Sequence, residues 1–227
     1  MVRPTKKEQI PNLQEAIKET AWKQIAELGA PALSLRAIAR ELKISAPAIY
    51  NYFPSRDDLV TALIVDAYNS LGDSQEGALD GLSVDDQAAR LSALGLAYHQ
   101  WAVTYPQRYL LIFGTPIPNY HAPDDITLPA AVRALAPLIQ VLQSAYEAGS
   151  LHVERLAAPT TKLKTMLNAW KKFEGRSDPE ALYLALVIWS RVHGLVMLEI
   201  GNHIPPSFDD PAEIFRREVK NIVIQYL

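Results

Sequence analysis

Arg36, Arg40 and Lys43 stand at i, i+4 and i+7 near the start of the chain. Side chains so spaced share one face of a helix. A row of guanidinium and ammonium groups is the chemistry that neutralises a line of phosphates. The segment that follows, KISAPAIYNYFPSRDDL at residues 43–59, reads as a helix too short to bury a core of its own. Ser45, Ala46, Pro47 and Ala48 fall on its outer side. Small side chains let a backbone approach base edges, and the methyls of Ala46 and Ala48 suit contact with thymine methyls. Tyr50 and Tyr52 offer hydroxyls to phosphate oxygens, and Arg56 stands at the positive start of the next helix. Asn51 has two readings, one pairing with an adenine and one pointing into the body. Pro47 in the first helical turn costs no hydrogen bond and stiffens the leading end. A solvated basic face on an ordinary three-helix core would have the same composition.

A second group of residues suits an apolar ligand: Trp101, Tyr109, Phe113, Tyr120, His121, Met166, Trp170, Trp189 and His193. Each, taken singly, is more often core packing than part of a ligand site. Gly194 beside His193 leaves room for a ligand or a second backbone. Catalytic patterns are missing, with no G-x-S-x-G, G-x-G-x-x-G, phosphate loop or H-E-x-x-H. The chain has no cysteine, which excludes thiolate metal sites and a cysteine nucleophile. His99, His121, His152, His193 and His203 are too far apart for a short metal motif, and no cofactor is expected. His203 with Asp209 and Asp210 is a conceivable metal trio, but Asp210 followed by Pro211 reads better as a helix start.

Helical periodicity organises everything else. The chain has 227 residues, 49% of them hydrophobic, and a net charge of −3. Residues 1–60 hold nine Lys+Arg against seven Asp+Glu, and the remainder thirteen against eighteen. The first helix is expected over Asn12–Leu28, closed by Gly29. The second starts at Ser34, a good N-cap, and buries Leu35, Ile38, Ala39 and Leu42. The short helix follows a tight turn in which Lys43 stands where glycine is common, so either the backbone is strained there or the turn differs. Ser55 and Asp58 form a capping box for a fourth helix ending near Leu71 and Gly72. Residues 73–84 read as a loop, and helices are expected at 85–105, 107–113, 129–149, 159–173, 179–200 and 211–226. Leu182–Ile200 is interrupted by Ser190, Arg191, His193 and Glu199, so a buried helix is expected there and not a membrane span.

The expected fold is all-α: a three-helix helix-turn-helix unit over 1–55, then a larger helical body over 56–227. LSLRAIARELKISAPAIYNYFPSRDDLVTAL, residues 33–63, closely resembles the DNA-binding region of the tetracycline-repressor-like (TetR) family of transcription regulators. HQWAVTYPQRYLLIFGTPIPNYHAP together with Trp189, His193 and Gly194 resembles one C-terminal domain type of that family, named for a W-H-G signature. The resemblance implies phosphate contacts from Ser34 and Arg36 and base-edge positions for Ser45, Ala46, Pro47 and Ala48. It gives Tyr50, Tyr52 and Arg56 backbone-positioning roles. It also implies a homodimer on a palindromic double-stranded DNA operator, acting as a ligand-released repressor; the lack of cysteine fits the cytoplasm, and the aromatic candidates point to a small, largely apolar molecule. Leu195 and Leu198, with the stripe Phe215, Val219, Ile222 and Tyr226, are the expected dimer face; the alternative is that the last helix closes its own core. Activation in place of repression, and a helical interaction module that does not bind DNA, are the other functional readings.

Overall fold

The computed structural model describes residues 12–174 and 177–227, so the first eleven residues of the expected 1–55 unit lie outside the described residues. Every regular element there is helical. The chain opens with α1 (Leu13–Leu28), a 3-10 turn (Ala30–Ala32), α2 (Leu35–Glu41), α3 (Ala46–Tyr50) and α4 (Arg56–Gly77). Ser34 caps α2 by accepting the Ala37 N–H at 3.4 Å. Ser55 caps α4, accepting the Asp58 N–H at 3.1 Å and donating its own proton to the Asp58 carboxylate at 2.7 Å. The turn between α2 and α3 is a Schellman closure, with Ile44 N–H on Ala39 O at 3.0 Å and Lys43 N–H on Arg40 O at 3.2 Å. It sets Lys43 at φ 55°, the left-handed conformation that glycine adopts without a Cβ penalty. The strained-backbone alternative therefore holds at this turn. Lys43→Gly should stabilise the protein by about 0.5–1 kcal/mol, read as a higher urea midpoint at unchanged slope.

The body follows as α5 (Gln87–Thr104), α6 (Pro106–Phe113), α7 (Asp124–Glu147), α8 (Thr161–Glu174), α9 (Pro179–Ile200) and α10 (Pro211–Tyr226). Two boundaries differ from expectation. α4 does not stop at Gly72, because α7 packs along it and Arg133 reaches across. The Arg133 guanidinium donates to Asn69 O at 3.2 Å, Asp73 at 2.6 Å and Glu76 at 2.5 Å, holding the extra turn. Gly72 is where this side chain lies: a Cβ there would sit 3.2 Å from Arg133 Nη1. At its other end α7 starts five residues early, with Asp124 and Asp125 in its first turn, where the helix dipole favours them. Pro129 and Pro137 both lie inside it.

Two apolar cores result. The first joins α1, α2 and α3 to the leading half of α4 through Ile17, Ile38, Ile49, Phe53, Leu59 and Leu63, and Ile117 from the α6–α7 loop closes it. The second lies among α4, α5, α6, α7, α9 and α10. α4 changes core after Ile64, with Tyr68 touching both. α7 and α9 are long and apolar enough to cross a membrane, but both pack against other helices of the body.

The α10 stripe corrects the expected dimer face. Phe215, Val219, Ile222 and Tyr226 are all buried within the chain itself. Phe215 stacks on His99 at 4.5 Å between ring centres, and Val219 fills the space left by Gly95, where a Cβ would come within 2.9 Å of it. Apolar side chains already enclosed by α5 are not available to a partner, so the last helix closes its own core. Leu198 remains 44% exposed and Leu195 is half-buried.

Candidate functional site

Arg36, Arg40 and Lys43 project from α2 and its closing turn into solvent. None of the three pairs with a carboxylate among the described residues, so their charge is free for an anionic partner. Ser34 uses its oxygen as a cap, which leaves its hydroxyl proton to donate. Following this row in sequence, α3 and its cap present Ser45, Ala46 and Pro47 exposed and Ala48 half-buried, while Ile49 anchors the helix to the core at 0% exposure. Tyr50 and Tyr52 are 41% and 45% exposed. Asn51 is exposed too, which removes the reading in which it points into the body. Exposed cations, exposed tyrosyl side chains and an exposed small-residue helix thus occur together in the α2–α3 segment.

Arg56 departs from the expected role. One nitrogen of its guanidinium, Nη2, donates to Ala30 O at 3.3 Å and Pro31 O at 3.2 Å, and Nη1 lies 3.5 Å from Asp57. The carbonyls of the 3-10 turn already occupy the side chain, so it braces the α1–α2 connection against the start of α4.

The second candidate group divides. Inside the body, α4, α5, α7, α9 and α10 line a partly open apolar cavity of about 170 Å³, with Phe113 and Trp189 on its wall. Its other walls include Tyr68, Leu71 and Gln75 of α4, Leu94 of α5, Ala134 and Leu138 of α7 and Val192 of α9. Trp101, Tyr109 and His193 do not line it. Tyr109 and His193 belong to a hydrogen-bonded layer, in which the Tyr109 hydroxyl lies 2.7 Å and the Tyr98 hydroxyl 3.0 Å from His193 Nδ1, and Trp101 packs on the Tyr109 ring. Trp189 Nε1 donates to the Tyr98 oxygen at 3.3 Å, and Trp101 Nε1 donates to Ser70 at 3.0 Å. The W-x-x-x-H spacing puts Trp189 and His193 on one face of α9, aimed at α5 and α6.

Four expected pocket residues lie elsewhere. Met166 is 59% exposed on α8. Trp170, on the same helix, packs half-buried on the body core, apart from the cavity. Tyr120 hydrogen-bonds Thr61 at 2.9 Å, joining the α6–α7 loop to the first half of α4. His121 is exposed. The conceivable metal trio near the end is not used as one: Asp210 caps α10 through the Ala212 N–H and pairs with Arg216.

Sequence reasoning missed Gln75, Leu91, Leu94 and Gly95 as cavity residues. Gln75 sits in a stretch read as a loop, and its burial depends on α5, to whose Leu94 carbonyl its amide donates at 3.2 Å. Gly95 in an otherwise apolar helix was the available signal, since glycine at mid-helix marks a close approach.

Burial sets the protonation states of the layer. It pushes Tyr98 up to about 12 and Tyr109 higher still, so both phenols keep their protons. Burial also lowers His193 below the usual imidazole value, holding the ring neutral to accept from Tyr109. An unfolded chain takes up this proton near pH 6.5, before the folded one does. The contribution of His193 is therefore full above that pH and is lost as pH falls through its folded pKa. The thermal midpoint should drop between pH 7 and pH 5, and His193→Gln should drop less over the same interval while starting lower. Parallel curves for the two proteins would contradict a neutral His193.

Struts connect the two cores. Lys18 of α1 pairs with Asp66 of α4 at 2.8 Å. The Arg108 guanidinium of α6 lies 5.3 Å from the Trp22 ring centre and 5.0 Å from that of Tyr105, a stacked cation between α1 and the body.

Comparison with known proteins gives this arrangement its place. Residues 17–63 match the family model described as bacterial regulatory proteins, tetR family, and residues 91–222 match the tetracyclin repressor-like C-terminal domain. The HTH-type transcriptional regulator Rv1816 of Mycobacterium tuberculosis is 32% identical over 212 residues, covering 93% of this chain and 91% of the relative. The crystal structure of regulatory protein SCO4313 superposes with a TM-score of 0.75 at 38% identity, covering 94% of this chain and 98% of that one. PfmR of Thermus thermophilus, a TetR family regulator, shares the fold with a TM-score of 0.60 at 16% identity, covering 92% and 97% of the two chains. A basic helix-turn-helix face on a helical body, matched along nearly its whole length, makes this chain a member of the TetR family of DNA-binding transcriptional regulators.

Proposed function

We propose that the protein is a homodimeric repressor that leaves a palindromic operator when a small, mostly apolar molecule fills the body cavity. One observation carries the reading. α4 is a single helix whose Leu59, Val60 and Leu63 pack under the DNA-binding unit and whose Tyr68, Leu71 and Gln75 line the cavity. A ligand that pushes on the second half of such a helix moves the first half with it. To take occupancy from nearly full to nearly empty, the ligand must prefer the released state by about 10⁴-fold.

On DNA, Ser34, Arg36, Arg40 and Lys43 hold phosphates, with Tyr50 and Tyr52 fixing register. Ser45, Ala46, Pro47 and Ala48 lie against base edges, and Asn51 pairs with an adenine. No Arg, Lys or Gln stands on the exposed side of α3, so DNA shape and deformability carry much of the choice of sequence. The protein acts by binding alone, in the cytoplasm, without catalysis.

A two-fold operator needs two copies with their α3 helices about 34–36 Å apart. α9 offers the partner face: Leu186, Ser190, Gly194 and Leu198 follow at four-residue spacing, and a Cβ on Gly194 would meet nothing within 4 Å. Ile224 on the outer side of α10, 73% exposed, extends it. Small residues at the centre of such a stripe let paired helices close on each other in a self-complementary interface.

The chain has no cysteine, so a spin label on Glu41→Cys, at the exposed end of α2, reports the helix-turn-helix unit alone. Two labels in the dimer should show one separation on operator DNA and a different one once a releasing compound is added. Release with no change in separation would sink the mechanism. A single-label signal at all concentrations would sink the dimer.

A further inference from the structure

The cavity itself constrains what fills it. None of its walls carries an Asp, Glu, Lys, Arg or His side chain. An ion of either sign would enter without a counter-charge, which is strongly unfavourable in an apolar interior. The volume, about 170 Å³, is below the usual range for drug-sized ligands. It is close to that of an engineered protein cavity of about 150 Å³ that takes benzene. The part of an occupant held there is therefore compact, on the order of six to ten non-hydrogen atoms.

Two polar groups on the wall are unspent. Gln75 is 5% exposed and gives its amide N–H to Leu94 O, which leaves its Oε1 an acceptor with no donor among the described residues. A buried acceptor without a partner is costly and rare, and it calls for a donor. The Tyr68 hydroxyl, on α4 two turns earlier, is also without a hydrogen bond among the described residues, and its ring forms part of the wall. By contrast Tyr98, the other hydroxyl on the wall, is engaged by Trp189 and His193. Polarity is thus concentrated along α4, opposite apolar walls from α7 and α9.

We infer that the cavity binds an uncharged, ring-sized apolar molecule bearing one hydrogen-bond donor, a phenol-like ligand whose O–H is held by Gln75 Oε1 with Tyr68 alongside. This deepens the reading of the cavity as the effector site and rests on it. The donor requirement also gives the ligand a grip on α4 that a plain hydrocarbon lacks.

Calorimetric titration of the full-length protein tests this with four probes: 4-methylphenol, its near-isostere 1,4-dimethylbenzene, benzoate and benzylamine. The phenol should bind about ten-fold more tightly than the hydrocarbon, and neither ion should bind. In Gln75→Leu the phenol should lose that advantage while the hydrocarbon binds as before. Ala134→Phe, which occupies the space with a ring, should abolish binding of both while the helical circular dichroism is kept; it serves if Gln75→Leu fails to fold. Equal binding of phenol and hydrocarbon, binding of either ion in preference, no binding of the phenol, or unchanged affinity in Ala134→Phe would each overturn the assignment. Operator release is read separately in the same samples. Phenol binding without release would leave the ligand class standing and remove the effector role. Release by another compound, with no phenol binding, would do the reverse.

Discussion

Replacing Arg36, Arg40 and Lys43 together with alanine should weaken binding to DNA of every sequence by on the order of 10³-fold or more near physiological salt. All three are exposed and without a carboxylate partner, so each can neutralise a phosphate and release the counterion that phosphate held. Each phosphate left without its cation should lower the slope of log K against log salt by about 0.9, counted twice in a two-fold complex. Arg36→Ala alone should show the same signature on a smaller scale. The ranking of different operators should not change, because phosphates carry no sequence information. A variant that kept its salt slope and changed its preferred sequence would show that this face reads bases. Ala48 is the contrasting position, since change there should alter the preferred sequence.

Tyr109→Ala should cost about 3–5 kcal/mol of stability, the largest loss expected from a single substitution in the body. The side chain is 0% exposed, and its ring packs against Phe113, Tyr98, Trp101 and His193. Its hydroxyl also supplies the hydrogen bond that His193 Nδ1 accepts. Tyr109→Phe keeps the ring and removes only that bond, so about 1 kcal/mol is expected. Urea unfolding of the two variants separates packing from hydrogen bonding. Equal losses would mean that the polar layer dominates, and a loss below about 1 kcal/mol for alanine would mean that α6 is not held by this residue.

What could be read from the sequence follows a physical division. Local signals survived into the structure: Ser34 and Ser55 cap helices as their side-chain chemistry requires, and the apolar spacing of Ile38 and Ala39 placed α2 on its core. Asp210–Pro211 marked the start of α10. Long-range partners were not legible. Gly72 looks like a helix end until Arg133, 61 positions later, lies across it. The α10 stripe has the same periodicity whether it faces a second subunit or α5, and only the position of Gly95 decides. Gln75 and Met166 show the same limit from opposite sides, one a polar residue buried on the cavity wall and one an apolar residue left in solvent. Arg56 was placed correctly along the chain, yet carbonyls from the 3-10 turn claim its guanidinium.

The most direct test of a specific DNA-binding regulator is fluorescence anisotropy of the purified protein on the intergenic DNA upstream of its own gene. Excess nonspecific competitor and a salt series should be included. Tight, competitor-resistant binding that weakens steeply with salt is the predicted result. Absence of binding even at low salt would contradict it and point to a helical interaction module that merely keeps the fold.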